Sequence, residues 1–268
     1  MRLAILGATG RMGHALLGRI AGAPDRFRLS GALAAPGDPM LGRDAATLCP
    51  ALPQGVTVVD DPLEALATAQ VAIDFTLPAA TAGHLHACRE AGVALVLGTT
   101  GLSGELESLL GDTARSVPVV YARNFSVGVT LLTEMSQLLA ARLGEDYDAE
   151  IVEAHHRGKV DAPSGTALAL GEAVARGRGG ELETLADWSR HGQTGARTPG
   201  RIGFAVVRAG SIVGDHTVMF AADEERLELT HRAVDRAVFA RGALRAAAWL
   251  ADRSPGLYDM RHVLGLAG

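Results

Sequence analysis

The chain has 268 residues but only two cysteines, Cys49 and Cys88. Two scattered thiols exclude a disulfide framework and a closed structural zinc site, and they suit a reducing, cytoplasmic setting. An excess of basic residues is also missing: 25 Lys and Arg against 30 Asp and Glu give a formal net charge of -5. Non-specific nucleic-acid binding needs a basic face to displace counterions from phosphates, so no nucleic-acid partner is expected. No apolar stretch reaches the ~18 residues of a membrane span, and no membrane partner is expected either. The opening "MRLAILGATGRMG" breaks its short apolar run with glycines at once, so it reads as a buried strand and not as a signal peptide. Repeats and low-complexity segments are absent apart from "RGRGG" at 176–180, which reads as a mobile loop. With 48% hydrophobic and 21% charged residues the composition is globular, and the length allows one large domain or two medium ones.

What the chain does have is rhythm. The apolar runs "RLAIL" (2–6), "RLSGALA" (28–34), "VTVV" (56–59), "VAIDF" (71–75), "ALVLG" (94–98) and "VPVVYA" (117–122) alternate with helical patterns, among them 12–21, 80–91 and 104–116. Short apolar strands separated by helices are βαβ units around a parallel sheet, so a doubly wound α/β domain is expected in the first half. After "RNFSVGV" the pattern changes to a helix (129–142), a strand (147–154), a helix (166–175) and a polar, glycine-rich passage to about Gly200. The runs "GFAVVRAG" (203–210), "DHTVMFAA" (215–222) and "RLELTHR" (226–232) follow, joined by short turns. Antiparallel hairpins in a second, α+β domain are predicted. A last helix, 237–251, is expected to return to the first domain.

"GATGRMG" places Gly7, Gly10 and Gly13 directly after the first strand and at the start of a helix. That spacing provides a tight turn, close approach to a pyrophosphate and close helix packing, the pattern of a dinucleotide-binding loop. The competing phosphate loop needs Gly-Lys-Ser/Thr, which is absent. A carboxylate near the end of the second strand ordinarily holds the adenosine ribose. Here that strand ends in Leu33, Ala34 and Ala35, while Arg11 could reach the extra phosphate of NADP. NADH and NADPH both stay open. In doubly wound sheets ligands lie at the carboxyl ends of strands, so "DFT" (74–76), "GTTG" (98–101) and "ARNFS" (122–126) point toward one crevice and together suggest a nicotinamide floor. Taken singly, each is ordinary loop and cap chemistry.

The densest stretch is "EAHHRGKVDAPSGTAL", 153–168. His155 and His156 follow an apolar strand, where side chains alternate faces. Lys159 lies four residues beyond His155, across Gly158. Ser164, Gly165 and Thr166 offer backbone N–H groups at a helix N-terminus, an anion site, with Pro163 and Gly165 setting the turn. Imidazole, ammonium and helix-terminus amides suit a substrate that carries carboxylates and is protonated during reaction. The alternative is a solvated basic loop. Zinc does not fit, because adjacent strand residues diverge and no third ligand is near; His84 and Cys88, at helical i, i+4 spacing, lack a third ligand too. No metal is expected, and no Ser or Cys nucleophile signature is present.

Together with "DFTLP", "ARNFSVGV", "GFAVVRAGSIVGDHTVMF" and the terminal "GLYDMRHVLGL", these stretches resemble the dihydrodipicolinate reductase family of lysine and diaminopimelate biosynthesis, over nearly the whole chain. The resemblance implies a Rossmann-like dinucleotide domain from 1–126 and 236–268. It implies a substrate-binding and oligomerisation domain, 127–235, whose open mixed sheet builds a homotetramer. The implied reaction is NADH- or NADPH-dependent reduction of 4-hydroxy-tetrahydrodipicolinate to tetrahydrodipicolinate and water. Carried onto this chain, His155 is the general acid/base and Lys159 a proton donor, while His156 with the Gly165 and Thr166 amides holds a substrate carboxylate. Gly7, Ala8, Thr9, Gly10, Arg11 and Met12, then Gly98, Thr99 and Thr100, then Ala122, Arg123, Asn124 and Phe125 line the cofactor. Two rivals stand beside this reading: another nicotinamide-dependent reductase of a small amino or imino acid, and a non-catalytic dinucleotide sensor that would tolerate loss of His155 and Lys159.

Overall fold

A computed structural model describes residues 1–267. The chain divides into two units, Met1–Ser126 with the segment from Ala237 onward, and Val127–Arg236. The first runs β1 (Arg2–Leu6), α1 (Arg11–Ala21), β2 (Arg28–Leu33), β3 (Val58–Val59), α2 (Pro62–Leu66), β4 (Val71–Asp74), α3 (Pro78–Ala91), β5 (Ala94–Leu97), α4 (Gly104–Ala114) and β6 (Pro118–Tyr121). Strands β4 and β5 are buried at every position. Apart from Asp74 at the carboxyl end of β4 these runs are apolar throughout and have no solvent face to supply, which suits a parallel sheet covered on both sides. The order β3-β2-β1-β4-β5-β6, parallel throughout, reverses direction between β1 and β4. That reversal leaves a crevice at the carboxyl ends of the strands, where doubly wound folds bind ligands.

The second unit contains α5 (Val127–Leu143), β7 (Asp148–His155), α6 (Gly165–Gly177), α7 (Leu182–Leu185), β8 (Ala186–Asp187), β9 (Ile202–Arg208), β10 (Gly214–Ala221) and β11 (Arg226–Ala233). Its mixed five-stranded sheet has the order β11-β10-β7-β9-β8. The predicted chain of hairpins holds only for β10 and β11. Strand β9 pairs parallel to β7, and β10 pairs antiparallel to the other edge of β7, so β7 separates two strands that are neighbours in sequence. The cause lies in β7 itself. Its alternate residues Ala149, Ile151, Glu153 and His155 are buried, and a central position continues that row into Phe204 on one side and Val218 and Phe220 on the other. The short α7 and β8 fall in the polar, glycine-rich passage, where no element is predicted; Arg201 fixes them by donating to the Asp187 carboxylate at 2.9 Å and to the Ala186 carbonyl at 2.6 Å.

The chain re-enters the first unit as α8 (Ala237–Leu250), β12 (Gly256–Tyr258) and α9 (Met260–Val263), with β12 adding a seventh parallel strand beside β6. The fold class is therefore the expected one, a Rossmann-like doubly wound sheet plus a mixed second sheet. No helix among the described residues is long and apolar enough to cross a membrane.

Candidate active site

In the first unit the glycine turn is tied to the end of β2, where the Leu33 carbonyl accepts the N–H groups of Gly7 at 3.0 Å and Ala8 at 2.8 Å. Gly13 in α1 is buried against that turn. A β-carbon there would lie 2.3 Å from the Gly7 oxygen and 2.4 Å from the Ala8 oxygen, so any larger residue would lift the helix off the turn. Gly10 caps α1 without a side-chain hydrogen bond, and the first N–H groups of a helix need an acceptor from elsewhere. A close-approach turn under an uncapped helix terminus fits the pyrophosphate of a dinucleotide. Within the cradle Ala8 is buried, Thr9 and Met12 are half-buried, and Gly10 and Arg11 are exposed. The Thr9 hydroxyl donates to Asp38 Oδ2 at 2.8 Å, so a carboxylate absent from the end of β2 arrives from the loop beyond it.

The three strand ends singled out in the sequence are knitted together in this unit. Asp74, fully buried, accepts the Thr76 N–H at 2.8 Å and the Thr76 hydroxyl at 2.7 Å. The Thr99 hydroxyl donates to the Thr76 carbonyl at 3.1 Å, and the Gly98 N–H donates to the Asp74 carbonyl at 2.7 Å. Phe75 meets Phe125 edge to face with ring centroids 5.3 Å apart. Ala122 N–H bonds to the Leu97 carbonyl at 3.2 Å, Asn124 accepts the Ser126 N–H at 2.8 Å, and Thr100 and Arg123 are exposed. His84 serves this frame, with its Nδ1 2.7 Å from Asp74 Oδ2. Burial and the charge of Asp74 push the Cys88 thiol up to about 12. That leaves Cys88 protonated and buried beside a histidine already engaged.

The second unit builds its cluster around Glu153, 1% exposed. Arg208 donates to both of its oxygens, at 2.8 Å each. The Ser164 N–H donates to Oε1 at 3.0 Å, and His155 Nδ1 lies 2.6 Å from Oε2. Strand geometry explains the convergence: Glu153 and His155 are two apart on one face of β7, and Arg208 is the register partner of His155 on β9. Burial pushes the Glu153 carboxyl up, but the Arg208, His155 and Ser164 hydrogen bonds outweigh it and hold the group below its usual range. A carboxylate on Nδ1 fixes the ring's tautomer and leaves Nε2 for chemistry. Gly214 keeps that side open, since a β-carbon there would press to 3.0 Å from Nε2.

Sequence reasoning missed Glu153, Arg208 and His216 as site residues. His216, the register partner of Glu153 on β10, stacks edge-on to His155 with centroids 5.1 Å apart. Its Nε2 lies 3.1 Å from the Ser164 hydroxyl oxygen, which in turn accepts the Ala167 N–H at 3.2 Å as the cap of α6. The hydroxyl proton is thus left for a neutral His216. His156, half-buried, lines a cavity of about 460 Å³ with Ser211, Val213, Val234, Asp235 and Arg236. Lys159 Nζ pairs with Asp161 at 2.7 Å, while Gly165 and Thr166 open α6.

Burial, with the charge of a protonated His155 second, pushes His216 down from 6.5 to about 4. Because the folded value is the depressed one, the stability this group contributes is complete above about 6.5 and is lost as pH falls toward about 4. At ~1.4 kcal/mol per unit this is on the order of 3 kcal/mol. Glu153 acts in the same direction further down, below its ordinary 4.5. The unfolding midpoint is therefore expected to fall between pH 6.5 and 4, and His216→Gln to flatten that part of the curve; a wild-type midpoint constant across the window would contradict a buried, neutral His216.

A dinucleotide cradle at the switch point of one sheet and a clamped, proton-bearing histidine on a second are the equipment of a nicotinamide-dependent oxidoreductase. Residues 1–125 match the family model for the N-terminus of dihydrodipicolinate reductase, and 128–264 match that for its C-terminus. A 4-hydroxy-tetrahydrodipicolinate reductase of Thiobacillus denitrificans is 54% identical over 266 residues, 99% of each chain. One from Ruegeria pomeroyi is 52% identical over 264 residues, 98% of each chain. The solved structure of a dipicolinate-bound dihydrodipicolinate reductase from Paenisporosarcina sp. TG-14 shares the fold, with a TM-score of 0.75 over 97% of both chains at 23% identity. The chain belongs to the dihydrodipicolinate reductase family, and it is a reductase.

Proposed function

We propose that the chain reduces 4-hydroxy-tetrahydrodipicolinate, a cyclic imine carrying two carboxylates, to tetrahydrodipicolinate and water, with NADH or NADPH as donor, in cytoplasmic lysine and diaminopimelate biosynthesis. The observation that carries this reading is the clamp on His155, whose Nδ1 is held by a buried carboxylate while Nε2 faces the space left by Gly214. The nicotinamide supplies a hydride when bound. Gly7 to Met12 hold its pyrophosphate, and Gly98 to Thr100 with Ala122 to Phe125 line its other end.

The rest is proton and charge chemistry. The product lacks the ring hydroxyl, so water leaves and a carbon conjugated with the imine is the one reduced. Electron density then collects on the ring and must take a proton. A protonated His155, its charge balanced by Glu153, delivers it from Nε2, and Lys159 is the second donor, on a side chain 21% exposed whose partner Asp161 is 54% exposed. His156 and the Gly165 and Thr166 amides hold a substrate carboxylate, so the cationic setting selects a small dicarboxylate over neutral analogues. A homotetramer is the assembly that the family resemblance implies, and Val206, Val207 and Leu227 are the exposed apolar side chains that the second sheet offers to it.

The test uses substrate made in place by its synthase, with oxidation of NADH and NADPH followed separately. Oxidation that depends on the synthase product is expected. No turnover with either cofactor would contradict the reading and favour the sensor.

A further inference from the structure

Strand β2 ends in Leu33, and the two alanines after it can neither bind the hydroxyls of an adenosine ribose nor repel a phosphate there. The chain then turns back. The Asp38 N–H closes on the Ala35 carbonyl at 3.1 Å, with Pro36 second in the turn and Gly37 third at φ +81°. Proline presets the backbone at the second position, and glycine alone accepts the positive φ at the third without strain, so this is a stiff type II turn. It brings Asp38 to the glycine loop. Oδ2 accepts the Thr9 hydroxyl at 2.8 Å, and Oδ1 accepts the Met40 N–H at 2.9 Å.

Among the described residues Asp38 is the carboxylate that accepts a hydrogen bond from the glycine turn, and it forms no ion pair there. An ionised carboxylate has about four acceptor sites; two are used, and Asp38 is only half-buried. In this fold class an acidic group reached after the second strand holds the ribose hydroxyls, and a 2′-phosphate in the same place meets like charge. A counter-charge for that phosphate would have to come from Arg11. Arg11, however, is the first residue of α1, at the terminus where the pyrophosphate lies, so its charge serves both cofactors alike. Ala34 is buried and Ala35 carries no charge.

We infer that Asp38, pinned by Thr9 and the Pro36-Gly37 turn, is the residue that makes this reductase select NADH over NADPH. The inference rests on the proposed reading of the glycine turn as the cofactor cradle. It differs from the cradle reading in predicting a ratio, so the two can fail separately.

The experiment titrates the full-length protein, without substrate, with NADH and with NADPH by nicotinamide fluorescence at one ionic strength, and then measures kcat/KM for each. Wild type is expected to bind NADH about tenfold or more tighter than NADPH, the scale of one charge-assisted hydrogen-bonding group. Asp38→Ala weakens NADH by about the same factor and removes the preference. Asp38→Asn keeps an acceptor for Thr9 but drops the charge, so NADPH binding improves while part of the NADH affinity survives; this isosteric change keeps the test valid if the alanine variant folds poorly. Equal or tighter NADPH binding by wild type, or an unchanged ratio in Asp38→Asn, overturns the inference. Binding of neither cofactor overturns the cradle reading along with it, whereas the predicted binding ratio with no oxidation of either cofactor counts against the reductase chemistry alone.

Discussion

Replacing His155 with alanine lowers kcat about 100-fold or more, the contribution of a positioned acid, while cofactor affinity stays within a few-fold of wild type. The fold survives this change because Glu153 keeps both of its bonds to Arg208 and its bond from the Ser164 N–H. Lys159→Ala gives a loss of similar order at less structural risk, since it breaks only a half-exposed ion pair with Asp161, worth up to ~1 kcal/mol. Steady-state rates with saturating cofactor, set beside a direct cofactor titration, measure both effects. Near-normal turnover in both variants would show that the loop binds or decorates and does not carry the proton.

Glu153→Ala has the largest effect on stability. It leaves the buried Ser164 N–H and the Nδ1 of His155 without their acceptor, and leaves the Arg208 guanidinium, 19% exposed, without its counter-charge and with only the Val207 and Asp161 carbonyls. Removing one partner of a buried pair costs about 3–5 kcal/mol, because the other charge stays behind without compensation. Denaturant unfolding of the variant is expected to show that loss, and turnover should fall with it. Glu153→Gln separates the two effects. It keeps the shape and one acceptor but turns an amide N–H toward donors, so much of the fold is retained while turnover drops toward the level of His155→Ala, through the freed imidazole. A Glu153→Gln enzyme with wild-type turnover would mean that His155 needs no orientation from the carboxylate.

The parts of this molecule that could be read from its sequence are those encoded within one turn or one strand. The run 2–6 followed by "GATGRMG" specifies strand, turn and helix from adjacent residues, and β1, the turn and α1 follow it directly. Glu153 was within reach of the same logic, since two-residue spacing on a strand puts it on the face of His155. Arg208 and His216 were not. They arrive from β9 and β10, 55 residues from Glu153 and 52 residues from Ser164 in sequence, and their placement depends on β7 lying between those strands. Local turn lengths suggested hairpins, and only the long-range burial pattern of β7 decides otherwise. Asp38 was missed for a different reason. Its position depends on a turn beyond the end of β2, signalled by Pro36-Gly37, that folds the chain back to the glycine loop.

Isotope tracing reaches the proposed chemistry most directly. Reduced cofactor deuterated at its hydride position, single turnover on the synthase product in ordinary water, and mass analysis of the tetrahydrodipicolinate formed should show one deuterium per product molecule. Unlabelled cofactor in heavy water should place a solvent deuteron on the ring, at a rate that falls in His155→Ala and Lys159→Ala. A product that carries no deuterium from the cofactor would contradict hydride reduction by this chain.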